Sequence, residues 1–326
     1  SFDKKFLSIP KEILILTMQS HQKYFPLFTK KNEITNEFIV VSNKKDNKGL
    51  IKIGNERVVE ARFTDAEFFW NKDKSQNLVK KVSGLKSMNF FKGLGTYFDK
   101  VQRMRKLGAI ISDELLISKE KVELSATICK TDLISEIVGE FPELQGIMGG
   151  HLSHVQGFDR EIVEAVKEQY LPIGLDSIVP KKPFSITLSL IDKVDTLTGF
   201  FGINEKPSSS KDPYALRRLA LGIIRIIIEN KKDIKMNDLL AYSQNIYLDQ
   251  NFKFSNDNLK KDIITFLEDR FRYYLKEKNI RHDIIEAATK KLDLNKISTT
   301  FEKTKSLNKI TNKKIGPVGI PILFQS

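Results

Sequence analysis

The spacing of apolar residues changes along the chain. In residues 1–85 the apolar runs are short, Ile13-Leu14-Ile15-Leu16 and Phe38-Ile39-Val40-Val41, with the turn formers Asn43, Asp46, Asn47 and Gly49 close by. Runs of this length predict buried strands. From Glu56 to Trp70 the period becomes helical, with Val58, Val59, Phe63, Ala66 and Phe69 on one stripe. Residues 86–230 read as mostly helical. Ser118 is placed to cap a helix whose face holds Val122, Ala126, Cys129, Leu133 and Ile137. Asp159 is placed to cap the next, with Ile162, Val163, Val166 and Tyr170, and Pro172 ends it. A third runs from Pro183 through Ile186, Leu190, Ile191, Val194 and Leu197 to Gly199. The fourth is expected to start on Asp212 as cap with Pro213 in its first turn, and to bury Leu216, Leu219, Ala220, Ile223, Ile224, Ile227 and Ile228.

Residues 231–315 form a more polar, lysine-rich helical extension, in which Ile263, Phe266, Leu267, Phe271 and Tyr274 mark one helix. Gly316-Pro317-Val318-Gly319-Ile320-Pro321 breaks any helix, so 316–326 is left as an unassigned tail. The pattern as a whole predicts an α+β chain: a mixed α/β domain over 1–85, a helical domain over 86–230 and the extension.

Charge adds a partner class. Lys and Arg number 54 against 41 Asp and Glu, a formal +13. An excess of this size fits a polyanion such as nucleic acid; a lysine-rich genome would also produce it. No apolar run reaches the roughly 18–20 residues that span a bilayer, and the first residues lack a signal-peptide layout. A single cysteine, Cys129, rules out an internal disulfide and fits the cytoplasm. One cysteine and four histidines exclude a cysteine-rich zinc site.

Few motifs carry chemistry. Gly93-Leu94-Gly95 lacks the rest of a dinucleotide fingerprint, and there is no phosphate-binding Gly-Lys-Ser/Thr loop. Gly149-Gly150 reads as a turn, His282-Asp283 as a solvated pair, and Cys129 as core. Asp132, His151, His154, Asp192 and Asp195 are the carboxylates and imidazoles that different helices could bring to one metal. Asp192 and Asp195 lie three apart on one helix. The competing reading has them capping helices or pairing with Lys130, Lys193 or Arg217. Lys211, Arg218 and Arg225 fall seven apart, with Arg217 beside them, and such a cationic stripe suits a phosphate backbone. A solvated face would have the same spacing.

Longer blocks narrow the choice. They include His21-Gln22-Lys23-Tyr24-Phe25-Pro26, Gly54-Asn55-Glu56-Arg57-Val58-Val59 and Asp65-Ala66-Glu67-Phe68-Phe69-Trp70. Further along come Phe141-Pro142-Glu143-Leu144-Gln145-Gly146-Ile147-Met148-Gly149 and Glu168-Gln169-Tyr170-Leu171-Pro172. Ile191-Asp192-Lys193-Val194-Asp195-Thr196-Leu197 and Phe201-Gly202-Ile203 continue the series, followed by Lys211-Asp212-Pro213-Tyr214-Ala215-Leu216-Arg217-Arg218 and Gly222-Ile223-Ile224-Arg225-Ile226. In this order, across residues 13–230, they resemble the β subunit of bacterial heterotetrameric glycyl-tRNA synthetase, and this sequence corresponds to the middle of that longer subunit.

The resemblance implies a non-catalytic, tRNA-engaging partner of a separate α subunit that uses ATP and Mg to activate glycine, with no cofactor in this chain. It also implies that the helical domain is a degraded HD phosphohydrolase. Thr131-Asp132 stands where a His-Asp pair belongs and Lys100 near the first histidine, leaving Asp132, His151 and Asp192 (with Asp195) as a degenerate site. An active metal-dependent phosphohydrolase and a scaffold for the α subunit are the alternatives.

Overall fold

Residues 13–16, expected as a strand, are helical. The computed structural model describes residues 1–312, so the tail 316–326 lies outside the described residues. Helix α1 (Lys11–Leu16) starts after Pro10, has Glu12 in its first turn and buries Ile13 and Leu14. A π turn over Thr17–His21 follows. Four consecutive apolar residues fit a strand or a buried helical turn equally well, and the proline start decides here. Strand β1 (Phe25–Phe28) pairs antiparallel with β2 (Ile34–Ile39), Phe25 opposite Ile39 and Phe28 opposite Ile34. The second strand therefore begins before Phe38 and ends before Val40. Helix α2 (Leu50–Lys74) spans the expected 56–70 helix and buries Val59, Phe63 and Ala66 of its stripe together with Trp70, whereas Val58 is exposed and Phe69 only partly buried. The rings of Phe2 and Phe6 meet Phe63 edge-on at 4.8 and 5.6 Å.

Helix α3 (Leu78–Lys81) and the hairpin β3 (Asn89–Phe91) and β4 (Gly95–Thr96) lead to α4 (Tyr97–Leu115). A capping box starts α4: Thr96 Oγ1 accepts from the Asp99 amide at 3.2 Å, and Asp99 Oδ2 accepts from the Thr96 amide at 2.8 Å. Helix α5 (Lys119–Ile128) is capped by Ser118 as expected, but it stops before Leu133 and Ile137. A 3₁₀ turn at Thr131–Ile134 intervenes, and α6 (Glu136–Glu140) begins afresh. Asp73 of α2 accepts from the Glu136 and Ile137 amides at 3.1 and 3.0 Å. Those contacts come from 63 and 64 residues upstream, and the local cap is Ser135, whose Oγ accepts the Val138 amide at 3.2 Å.

Gly149-Gly150 lies inside α7 (Ile147–Val155) rather than at a turn. The glycines let α7 approach α8 (Arg160–Glu168): a Cβ on Gly150 would lie 2.7 Å from Lys167 Cβ. Asp159 does precede α8, but its carboxylate pairs with Lys121 at 2.8 Å and caps no backbone amide.

Helix α9 (Pro183–Gly202) is the centre of the fold, buried on nearly every side from Ser185 to Gly202. Helices α4, α5, α8, α10 (Leu216–Glu229), α11 (Met236–Asp249) and α12 (Leu259–Glu277) pack around it. Helices α13 (His282–Thr289) and α14 (Ile297–Asn312) complete the described chain. The result is the expected α+β class, mostly helical with two small antiparallel hairpins. Because α9 is enclosed, its charged side chains must find partners inside the protein.

Candidate functional site

Helix α9 carries Asp192, Lys193 and Asp195 into that interior. Asp195 is fully buried and accepts from Arg103 Nε at 2.6 Å and from Arg103 Nη2 at 3.2 Å. Lys100 Nζ stands 3.1 Å from both Asp195 Oδ2 and Asp192 Oδ1, and it donates to Thr196 Oγ1 at 2.8 Å. Lys130 Nζ lies 3.0 Å from the same Asp192 oxygen and 4.0 Å above the Tyr170 ring. From α11, the Tyr247 hydroxyl donates to the Asp195 carbonyl at 3.1 Å, and its ring faces the Arg103 guanidinium at 3.9 Å. Burial alone would raise the Asp192 pKa, but Lys100 and Lys130 beside it hold it well below the usual carboxylate range. Lys100 is the residue that the resemblance sets near the first imidazole of an HD site, and its ammonium occupies the space between the two aspartates.

The other expected members of that site stand apart. Asp132 uses Oδ2 to accept the Gly146 and Gly149 amides at 2.5 and 3.0 Å, holding the start of α7. Burial pushes its carboxyl up to about 6 against the pull of those two amides. His151 Nε2 sits 2.9 Å from Glu12 Oε2, near the surface, with its ring edge-on to Trp70. His154 is exposed. Among the described residues no three His, Cys, Asp or Glu side chains are grouped as a metal would need. The ion-pair reading of Asp192 holds, with Lys130 as one partner as expected and Lys100 as the other; Arg217 is not involved. Arg103 and Tyr247 carry no sequence signal of their role, since they lie 92 and 52 residues from Asp195 and meet it only through the fold. Cys129 is core, as expected, and burial pushes its thiol up to about 12.

Lys193 completes the cluster. It is buried and donates from Nζ to Leu171 O at 2.8 Å and to Ser189 Oγ at 2.7 Å. Burial, with Lys130 and Lys100 nearby and despite Asp192, lowers its pKa from 10.5 to about 7. A neutral Lys193 leaves Lys100, Arg103 and Lys130 as the cations facing Asp192 and Asp195. Between pH 7 and 10.5 the unfolded chain carries the Lys193 proton and the folded chain sheds it. Stability from this group is therefore lowest below pH 7 and rises through that window. Denaturant titrations at pH 7 and 9 should show the wild type gaining on the order of 2 kcal/mol more than Lys193→Met. Parallel pH profiles for the two proteins would exclude a role for this proton.

The expected cationic stripe does not form. Helix α10 begins at Leu216, after Ala215 in the left-handed region, so Lys211 lies in the preceding loop. Asp212 does cap, from further away than expected, accepting the Leu216 and Arg217 amides at 2.8 and 3.0 Å. Arg217 turns back to donate to Ser208 O. Arg225 points inward: Nε pairs with Glu229 at 2.7 Å, Nη1 donates to Gly174 O at 2.6 Å, and Nη2 donates to Ser177 O at 2.8 Å. With only 7% of its surface exposed, it has no face for a phosphate. Arg218 and Lys211 are exposed, and neither side chain has a hydrogen bond or ion pair among the described residues.

Residues 1–290 match the family model described as glycyl-tRNA synthetase beta subunit. Similar proteins include the glycine–tRNA ligase beta subunit of Rhodospirillum centenum, 37% identical over 290 residues, which covers 87% of this chain and 40% of that one. The beta subunits of Acinetobacter baylyi and Syntrophus aciditrophicus are 41% and 39% identical over 289 residues, covering 88% of this chain and 42% of each. This chain thus spans about two fifths of the length of the relatives it matches. No helix among the described residues is long and apolar enough to cross a membrane. On the extent of the match, the chain belongs to the glycyl-tRNA synthetase beta subunit family.

Proposed function

We propose that this chain is the tRNA-handling part of the β subunit of a cytoplasmic glycine–tRNA ligase, acting with an α subunit that activates glycine using ATP and Mg. Two α and two β subunits would make the assembly. The observation that carries this reading is the family match over residues 1–290. The excess of 54 basic over 41 acidic residues supports a polyanionic partner. The buried cluster argues against the phosphohydrolase alternative. Asp192 and Asp195 are already bound by Lys100, Lys130 and Arg103, so a metal would have to displace buried cations. Its role in this reading is to hold α4, α5, α9 and α11 together beneath the tRNA-facing surface.

The test is a titration of tRNA(Gly) against the purified chain at several salt concentrations, with glycine-dependent ATP–pyrophosphate exchange measured in the same preparation. Binding that weakens steeply with salt, and no exchange without the α subunit, are the expected results. Lys211→Gln should flatten the log–log salt slope by roughly 0.7–1, because one phosphate contact is lost. Binding without salt dependence would count against tRNA engagement, and exchange by the chain alone against the division of labour.

A further inference from the structure

The hairpin β3–β4 and the first turn of α4 carry aromatic rings that the buried cluster leaves at the surface. Phe90, Phe91 and Tyr97 are half-buried there, and Tyr214, from the loop before α10, joins them. Phe90 meets Tyr97 with ring centroids 5.4 Å apart, and Phe91 meets Tyr214 at 5.1 Å. Phe200 of α9 is the floor of the group, 6.0 Å from Phe90, 4.8 Å from Phe91 and 4.5 Å from Tyr214. Lys100, itself held by Asp192 and Asp195, places Nζ 4.5 Å from the Phe90 ring centroid. The backbone is fixed as well. The Leu94 amide donates to Phe91 O at 2.9 Å and closes a turn that needs Gly93 at a φ of 86°, and the Tyr97 amide donates to Met88 O at 2.9 Å. These rings are in place before any ligand arrives.

The charges around them favour a polyanion. Lys92 stands in the turn and Lys211 three residues before Tyr214; both are exposed, and neither side chain has a hydrogen bond or ion pair among the described residues. Lys86 Nζ lies 4.9 Å over the Phe98 ring. The acids of segments 86–99 and 205–214 are Asp99, Glu205 and Asp212. Asp99 caps α4, and Asp212 holds the Leu216 and Arg217 amides, which leaves Glu205. The remaining cation, Lys206, pairs with Asp262. Three lysines free of any acid therefore stand against one uncommitted carboxylate. Lysine is depleted from the centres of protein interfaces. Single-stranded nucleic acid is held by the combination present here, rings against bases and cations against phosphates. A duplex keeps its bases paired and would use the cations alone.

We propose that Phe90, Phe91, Tyr97 and Tyr214 receive unpaired bases of an RNA strand, whose phosphates meet Lys86, Lys92 and Lys211. On the function proposed above, on which this inference rests, the strand is an unpaired stretch of the tRNA, at its end or in a loop. Phe200 and Lys100 act from beneath as positioning residues, so the buried ion pairs also set the shape of this surface.

The test uses the full-length β chain that contains this sequence and tRNA(Gly) of the same organism. Lys92→Gln changes an exposed side chain, so its melting temperature should match the wild type while the log–log salt slope flattens by about 0.7. Phe91→Leu keeps apolar bulk and removes the ring. Its tRNA affinity should fall roughly tenfold with the salt slope unchanged, and Phe91→Tyr should retain wild-type affinity. Association with the α subunit should be unchanged in all three variants. Repeating the titrations with tRNA(Gly) that lacks its unpaired 3′ nucleotides identifies the strand. Equal affinities of wild type and Phe91→Leu would assign the rings to the tRNA end, and a persisting difference would assign them to a loop. Wild-type affinity and salt slope in folded Lys92→Gln and Phe91→Leu would overturn the placement while leaving tRNA engagement intact. Weakened α association with tRNA binding retained would assign the surface to protein and overturn it too. A wild-type full-length chain that fails to bind tRNA(Gly) would take down the proposed function itself.

Discussion

Asp195→Ala is expected to destabilise the protein by about 3–5 kcal/mol, the range seen when one partner is taken from a buried ion pair. Asp195 and Arg103 are both completely buried, and Lys100 is 2% exposed. Without the carboxylate, Lys100 keeps Asp192 and Thr196, but Arg103 is left with Gln250 Oε1 at 3.0 Å, a long contact to Leu94 O at 3.4 Å and the Tyr247 ring. None of these neutralises its charge. The loss would appear as a large fall in denaturant midpoint. Removing both members of the pair tests the cause. Arg103→Leu with Asp195→Leu should cost less than the two single changes added together, because neither charge is then stranded. A single variant that melts within a degree or two of the wild type would show that the cluster contributes little. Exact additivity in the double variant would place any loss in packing.

That cluster also shows where sequence reasoning stops. The helical stripes of α2, α9 and α10, and the start of α5 at Ser118, were legible because each rests on residues within a few positions of one another. Asp192 and Asp195 stood out as carboxylates in an apolar helix, which correctly marked them as buried and partnered. Lys130 was among the expected partners, but the other two were not. Lys100 and Arg103 are 92 to 95 residues away, and Lys100 looks in sequence like any exposed lysine of a basic chain. The seven-residue spacing of Lys211, Arg218 and Arg225 failed for a related reason. It assumed a helix from Asp212, whereas the cap acts across a left-handed Ala215 and the helix starts at Leu216. Asp73 reinforces the local Ser135 cap of α6 from a distance, and Asp132 gathers two amides at α7 from 14 and 17 residues away. Sequence periodicity could record the faces of these helices, but it could not record what ends them.

Arg225 supplies the second large effect, opposite in kind to what its sequence position suggested. Arg225→Gln removes a guanidinium that makes three charge-assisted contacts, to Glu229, Gly174 O and Ser177 O. Hydrogen bonds to a charged group contribute about 1.5–3 kcal/mol each. Glu229 is partly exposed and can be rehydrated, and water can reach the loop 171–180, so the net loss should be about 2–4 kcal/mol. A glutamine is too short and has too few donors to restore both carbonyl contacts. Two measurements distinguish this anchoring role from a phosphate contact. In the anchoring case the melting temperature falls by several degrees and the salt slope for tRNA keeps the wild-type value. For a phosphate contact the slope flattens by roughly 0.7–1 and stability barely moves. Arg218→Gln is the internal control, because its exposed side chain has no partner to lose and its melting temperature should not change. Protease digestion adds a local readout. With its two carbonyls released, the loop at 171–180 should be cut faster in Arg225→Gln than in Arg218→Gln. Equal cutting rates in the two variants would mean that the loop holds its shape without Arg225.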